Sequence, residues 1–180
     1  MLISGSRDFD VFAWSVDSGQ IAYRLTPERD HKVYSEVRAA AFSPDGGTFA
    51  YVVFNFEVYS LVLVDVKSRR PFKQLNGYKN ICFSPDSKQA AVSTDNGSYH
   101  IVLLDTETWE VQETLQGHRY PVAGMCYTAD GERIASCSQD KYVKLWSAEV
   151  RAPVQTFGSC VDSILRSFVS PACDLIASIC

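Results

Sequence analysis

Short segments in which apolar and polar residues alternate run through the whole chain, and clusters of turn-forming residues separate them. In the segment 142–146, for example, Lys144 stands between Val143 and Leu145. Alternation with a period of two is typical of β-strands that have one buried face. Nowhere do apolar residues keep a helical spacing for three turns. The pattern therefore predicts an all-β chain with almost no helix.

A turn that begins with Ser or Thr, most clearly as Ser-Pro-Asp, recurs along the chain. Its first residues are Ser43, Ser84, Thr128 and Ser170, at steps of 41, 44 and 42. A second landmark, the end of an alternating strand, falls at Trp14, Val64, Leu104 and Trp146. The apolar residues that close the following strands are Leu25, Leu75, Leu115 and Phe157. The second and third landmarks share steps of 50, 40 and 42, so the chain contains a repeat of about forty-two residues.

Each repeat has room for four short strands joined by turns rich in Asp, Ser, Gly and Pro, which indicates an antiparallel meander. Four-stranded units at this spacing are typical of the blades of a radial propeller. The strand count is three strands, then three blades of four, then two strands. We predict a segment of about four four-stranded antiparallel blades, with partial blades at 1–27 and 159–180. Full blades are expected at about 36–76, 77–116 and 117–158.

This strand count leaves both terminal blades incomplete. An incomplete blade exposes strand edges and apolar faces, which repeat proteins normally cover with a neighbouring repeat. We therefore expect an incomplete propeller, a fragment of a longer one whose remaining blades are among its partners.

The segment 134–146, with Gly117 and His118 ahead of it, strongly resembles one WD40-type repeat, and residues 1–14 resemble part of another. In that family a His, a Ser or Thr, an Asp and a Trp form a hydrogen-bonded chain that stiffens the blade. The resemblance implies such a structural chain at His118, Ser136, Asp140 and Trp146, and part of one at Ser4, Asp8 and Trp14. Val64 and Leu104 replace Trp in the two repeats between them.

The resemblance also implies a function, because the family's usual role is to present a rigid disc that holds several protein partners together. We expect a non-catalytic scaffold that binds other proteins. Loop positions beside the His and beside the tight Asp turn often face partners in this family. In this chain they are Arg7, Arg119, Tyr120 and Gln139. Aromatic and arginine side chains make good anchors at interfaces, which favours Tyr120 and Arg119.

The alternative from another class is a propeller enzyme, a hydrolase or an oxidoreductase, whose catalytic residues lie in the missing blades. An enzyme needs convergent His, Asp, Glu or metal ligands. The chain offers His31, His100 and His118, but no GxSxG, Walker or HExxH motif. We therefore predict no enzyme activity, no catalytic residue, no metal and no cofactor.

Composition and charge indicate which classes of partner and which cellular locations to expect. The net charge is −4 and no broad basic face is evident, so nucleic acid is not an expected partner. The longest apolar run, about 57–66, is much shorter than the roughly 20 residues that cross a bilayer. Residues 1–10 do not resemble a secretory signal, and the six cysteines form no CxxC pair. We expect free thiols in an intracellular protein, cytoplasmic or nuclear.

Overall fold

The structure is a computed structural model that describes residues 2–5, 11–25, 36–55, 57–147, 152–158, 166–169 and 176–179. Within these ranges only the backbone is described for 2–5, 25, 166–169 and 176–179. Every described element is a strand, which confirms the all-β prediction. The chain divides into two compact units, residues 1–79 and 80–180.

Unit 1 contains two antiparallel sheets. Three strands form the first sheet in sequence order: β1 (Leu2–Gly5), β2 (Val11–Trp14) and β3 (Ile21–Leu25). Four strands form the second sheet, also in sequence order: β4 (Glu36–Phe42), β5 (Thr48–Phe54), β6 (Tyr59–Asp65) and β7 (Arg70–Asn76). Both sheets are therefore meanders in which each strand pairs with the next one along the chain.

Unit 2 continues the same pattern, although its first strand begins just ahead of the unit boundary. One four-stranded sheet holds β8 (Tyr78–Phe83), β9 (Gln89–Thr94), β10 (Ile101–Asp105) and β11 (Val111–Leu115). A second holds β12 (Val122–Tyr127), β13 (Arg133–Ser138), β14 (Val143–Ser147) and β15 (Pro153–Phe157). A two-stranded sheet holds β16 (Arg166–Val169) and β17 (Ile176–Ile179).

The recurring Ser or Thr closes the turn between the first and second strands of each four-stranded sheet. The Ser43 hydroxyl oxygen accepts the backbone N–H of Thr48 at 2.8 Å. Ser84 and Thr128 accept the corresponding N–H groups at 2.9 and 3.0 Å. Each hydroxyl also donates to the carboxylate two residues further on, in Asp45, Asp86 and Asp130. Short polar side chains that bond the backbone locally fix such turns, which explains why the motif recurs.

A β-bulge recurs in the last strand of four sheets, namely β3, β7, β11 and β15, which we call the outer strands. The register shifts next to Trp14, Val64, Leu104 and Trp146, and each shift inserts one extra residue into the outer strand. The extra residues are Ala22, Phe72, Gln112 and Val154. A bulge bends its strand and increases the local twist. The repeats therefore share a detailed backbone geometry as well as a sequence spacing.

Each unit buries apolar residues from neighbouring sheets against one another. In unit 1, Val11 of β2 joins a core with residues of β5 and β6, namely Phe49, Tyr51, Val62 and Val64. In unit 2, both four-stranded sheets contribute to one core, formed by Ala91, Ile101, Leu103, Leu115, Val122, Ile134 and Trp146. Packing sheet on sheet in this way hides the apolar faces that a single meander leaves exposed.

Two further predictions concerned membrane-spanning segments and the state of the cysteines. The part of the chain that the structure describes has no helix long and apolar enough to cross a membrane. The described cysteines Cys82, Cys126 and Cys137 form no disulfide, and Cys137 is buried. The remaining cysteines, Cys160, Cys173 and Cys180, lie outside the described residues.

Candidate functional site

Four side chains of unit 2 form one continuous hydrogen-bonded chain. The Trp146 indole Nε1–H donates to the Ser136 hydroxyl oxygen at 2.7 Å. The same oxygen lies 2.7 Å from His118 Nε2. On the other side of the imidazole, His118 Nδ1 lies 2.7 Å from Asp140 Oδ2. The structure thus brings together the four residues that the resemblance implied for this repeat.

The hydrogen-bond partners and the lowered pKa of His118 favour one arrangement of protons. The Ser136 oxygen accepts the indole N–H, and its own O–H is the donor that a neutral His118 Nε2 can accept. The imidazole is then neutral and donates its Nδ1–H to the carboxylate of Asp140. Burial lowers the pKa of His118 against the opposing effect of Asp140, which agrees with a neutral ring. All hydrogen bonds of the chain run in one direction, from Trp146 to Asp140.

Asp140 remains ionised at the end of this chain. Burial on its own raises the pKa of a carboxyl group, but here hydrogen bonds from His118 and from two backbone N–H groups outweigh it. Those N–H groups belong to Arg119 and Tyr142, at 3.1 and 3.0 Å. The pKa of Asp140 therefore lies below its ordinary value.

A close backbone approach explains the glycine ahead of His118. A Cβ placed on Gly117 would lie 3.1 Å from the Cη2 carbon of the Trp146 ring. Glycine lets the backbone pass directly against the indole, whose Nε1–H then points at Ser136. The Gly-His pair of the sequence therefore positions both ends of the hydrogen-bonded chain.

The loop that follows His118 is held against the β13–β14 turn by three hydrogen bonds. Asp140 Oδ2 accepts the Arg119 N–H at 3.1 Å. The Ser138 hydroxyl donates to the Tyr120 carbonyl oxygen at 2.8 Å. The Gln139 N–H donates to the Pro121 carbonyl oxygen at 3.0 Å. The backbone of residues 119–121 is therefore fixed, whereas the side chains of Arg119 and Tyr120 face solvent.

Tyr120 of this loop forms an aromatic pair with a tyrosine of the neighbouring sheet. The Tyr120 side chain is 58% exposed. Its ring stacks on that of Tyr99, with a centroid distance of 6.5 Å and an interplanar angle of 7°. Tyr99 comes from the β9–β10 connection of the neighbouring sheet, so two sheets contribute to one surface. We call the surface formed by Tyr99, Arg119, Tyr120, Gln139 and Lys141 the aromatic end of unit 2.

The other ends of the same strands carry an acidic surface. The β8–β9, β10–β11 and β12–β13 turns and their flanking residues hold six acidic residues, Asp86, Asp105, Glu107, Glu110, Asp130 and Glu132. The described basic residues there are Lys88 and Arg133. A cleft of about 500 Å³ opens between these turns. We call this surface the acidic end of unit 2.

A second polar chain crosses between the two four-stranded sheets beside this cleft. The Tyr127 hydroxyl donates to Gln89 Oε1 at 2.7 Å, and Gln89 Nε2 donates to Gln112 Oε1 at 2.7 Å. Gln112 Nε2 then donates to Asp105 at 3.0 Å. Sequence reasoning missed this chain, because no motif marks residues that lie 38 positions apart as neighbours.

Sequence reasoning also missed Tyr99, since nothing in the spacing of the repeat singles out a tyrosine in the β9–β10 connection. Its stacking on Tyr120 is seen only in the folded structure.

In the first repeat the structure describes Trp14, which is half-buried and contacts Phe12. The backbone of Ser4 pairs with Phe12, but its side chain, together with Arg7 and Asp8, lies outside the described residues. Among the side chains that are described, no group of His, Cys, Asp and Glu is arranged to hold a metal ion.

Comparison with known proteins agrees with these features. Residues 109–147 match the family model described as WD domain, G-beta repeat. The chain is 29% identical over 145 residues to WD repeat-containing protein SL1-17 of Schistosoma mansoni, covering 79% of this chain and 45% of that protein. It is 31% identical over 137 residues to a probable cytosolic iron-sulfur protein assembly protein 1 of Cryptococcus neoformans, covering 75% of this chain and 29% of that protein.

The fold has a solved counterpart. A chain in the crystal structure of the mitotic checkpoint complex superposes with a TM-score of 0.78 over 98% of this chain and 52% of that one, at 23% identity. The successive four-stranded meanders and this likeness define a β-propeller fold. The matched family model shows a WD repeat at residues 109–147, and the chain is similar to WD-repeat proteins over most of its length. The chain spans less than half the length of these two relatives.

Proposed function

We propose that this chain is a non-catalytic scaffold that holds protein partners through the aromatic end of unit 2. The observation that carries the proposal is Tyr120, whose backbone carbonyl is bonded by Ser138 while its side chain remains 58% exposed. Because the ring of Tyr120 is also stacked on that of Tyr99, it loses little entropy when a partner covers it. Exposed tyrosine and arginine side chains of this kind are typical hot spots of protein interfaces.

The hydrogen-bonded chain supports this function from inside the sheet. His118 and Asp140 fix the positions of the loop and the turn that carry Arg119, Tyr120 and Gln139. Both imidazole nitrogens are occupied by Ser136 and Asp140, and the ring is buried. We therefore assign His118 a structural role rather than a catalytic one.

The relatives support a role in assemblies in coarse terms. They include a component of the COMPASS complex of Saccharomyces cerevisiae and an iron-sulfur protein assembly protein described as cytosolic. Neither of these names describes an enzyme. We propose an intracellular protein with protein partners, and the net charge of −4 argues against nucleic acid among them.

The test is affinity capture from an extract of the source cells, quantified by mass spectrometry, with the wild-type chain and the double variant Arg119→Ala/Tyr120→Ala. We expect the double variant to lose most of the specifically captured proteins. Val111→Ala is the matched control, because Val111 is also 58% exposed but lies on β11, away from the aromatic end. Equal capture by the double variant and the wild type would show that this surface does not bind partners.

A further inference from the structure

The two ends of unit 2 differ in charge as well as in shape. The acidic end carries four more acidic than basic residues among those the structure describes. Its carboxylates stay ionised, because hydrogen bonds hold the pKa values of Asp86, Asp105 and Asp130 below their ordinary range. The largest single contributions come from Ser84 for Asp86, from the Thr108 N–H for Asp105 and from Thr128 for Asp130. This end therefore repels an acidic segment of a partner.

The aromatic end carries no such acidic excess. Arg119 and Lys141 are exposed there, next to the stacked tyrosines. The described acidic groups at this end are Asp95 and Asp140. Asp140 is directed inwards, since one carboxylate oxygen bonds His118 and Arg119 N–H and the other bonds Tyr142 N–H. The two acidic and two basic groups balance formally, so this end lacks the acidic excess that repels an acidic segment at the other end.

The guanidinium of Arg119 is available for a partner. Within the described residues its side chain forms no ion pair and no hydrogen bond, although its backbone N–H is held by Asp140. The residue is exposed and directly precedes Tyr120, so a planar cation and an aromatic ring stand side by side on one fixed loop. A guanidinium fork matches a carboxylate in geometry as well as in charge.

From this arrangement we infer that the aromatic end of unit 2 binds a segment of a protein partner that carries aspartate or glutamate. Tyr120 covers an apolar or ring-shaped side chain of that segment, and Arg119 pairs with its carboxylate. The inference rests on the proposed function and adds the chemistry of the partner to it. Repulsion at the acidic end and pairing with Arg119 at the aromatic end also set which end of the unit the segment approaches.

Selection from a random linear peptide library displayed on phage tests the inference while the partner itself is unidentified. The immobilised baits are the wild-type chain, Arg119→Glu, Tyr120→Ala and, as a matched charge reversal at the acidic end, Lys88→Glu. For the wild type we expect acidic residues to exceed basic ones at least tenfold among the enriched peptides. Arg119→Glu is expected to abolish that excess, whereas Lys88→Glu retains it.

The strongest wild-type peptide is then synthesised and its dissociation constant measured by fluorescence anisotropy. We expect Arg119→Glu to weaken binding about tenfold or more, and added salt to weaken wild-type binding. Thermal unfolding of each variant checks that it is folded. Arg119→Glu changes an exposed side chain and keeps the backbone bond to Asp140, so its midpoint should match the wild type.

The outcomes separate the two proposals. If Tyr120→Ala loses the enriched peptides but these show no acidic excess, the partner chemistry is wrong and the binding surface stands. If Tyr120→Ala retains them, or if the wild type enriches no peptide, the surface itself is wrong and both proposals fail.

Discussion

The Oγ atom of Ser136 and the Nε2 atom of His118 lie 2.7 Å apart, and both side chains are buried in unit 2. The same oxygen accepts the indole N–H of Trp146. One hydroxyl therefore satisfies two buried rings at once. The contact also helps to position Asp140, because His118 bonds the same carboxylate oxygen that accepts the Arg119 N–H.

Ser136→Ala should lower the free energy of unfolding by about 3 kcal/mol, since it leaves the Trp146 N–H and His118 Nε2 without a partner in the interior. Urea denaturation followed by tryptophan fluorescence measures the loss. Ser18→Ala is the control, because Ser18 is exposed in a turn and should change stability by less than about 0.5 kcal/mol. Equal losses in the two variants would mean that the buried chain adds nothing to stability.

The buried imidazole should make stability depend on pH. Burial lowers the pKa of His118 in the folded state, so the unfolded state binds more protons below the ordinary histidine pKa. The free energy of unfolding should therefore fall as the pH drops from about 7.5 towards 5, the range in which the unfolded imidazole gains its proton. Asp140 adds a further loss only below the ordinary pKa of aspartate, because its folded pKa is also lowered.

Urea denaturation at several pH values measures this dependence. His118→Gln removes the titrating group and should flatten the decline between about pH 7.5 and 5, although the variant is less stable throughout. A variant that keeps the full wild-type slope would assign the dependence to other groups.

Ser87→Gly should stabilise the chain by about 1 kcal/mol. Ser87 has a backbone φ of 61°, whereas the equivalent turn positions Gly46 and Gly131 carry glycine at φ values of 73° and 76°. Left-handed backbone costs about 1 kcal/mol or more for a residue with a Cβ. Thermal unfolding measures the change.

The reciprocal variant Gly46→Ser provides the control for this prediction. A Cβ at Gly46 would meet no atom within 4 Å, so any loss reports backbone strain rather than a clash. We expect a loss of about 1 kcal/mol. A gain for Gly46→Ser, or a loss for Ser87→Gly, would contradict the assignment of strain to this turn position.

Tyr127→Phe should destabilise the contact between the two four-stranded sheets of unit 2. Its hydroxyl donates to Gln89 Oε1 at 2.7 Å, so removing it leaves a half-buried amide oxygen without its donor. We expect a loss of about 1 to 1.5 kcal/mol in urea denaturation. Tyr142→Phe, at an exposed tyrosine, should cost much less. Equal effects would show that the inter-sheet chain does not stabilise unit 2.

The repeat was predictable because local chemistry produces it. The Ser or Thr hydroxyl closes the same turn at Ser43, Ser84 and Thr128 through bonds to residues five positions on. Contacts of this range leave a fixed spacing in the sequence. The buried hydrogen-bonded chain around His118 could also be predicted from the sequence, since its members hold constant positions in a family motif.

Contacts between sheets produce no fixed spacing in the sequence and were therefore not predicted. Tyr99 and Tyr120 meet through the packing of two different meanders, and Tyr127 reaches Gln89 in the same way. Their spacing follows from how the sheets face each other rather than from any turn. The outer-strand bulges were also not predicted, because the residues inserted, such as Ala22 and Gln112, share no side-chain chemistry.

The bulges next to Trp14, Val64, Leu104 and Trp146 have a consequence for association between molecules. A strand from another chain could lengthen a sheet only if it followed the bend and matched the extra residue at the same step. Flat fibril-like growth from these edges is thus obstructed in all four sheets. Association strand by strand is therefore disfavoured at these four edges, whereas Arg119 and Tyr120 at the strand ends of unit 2 remain exposed to partners.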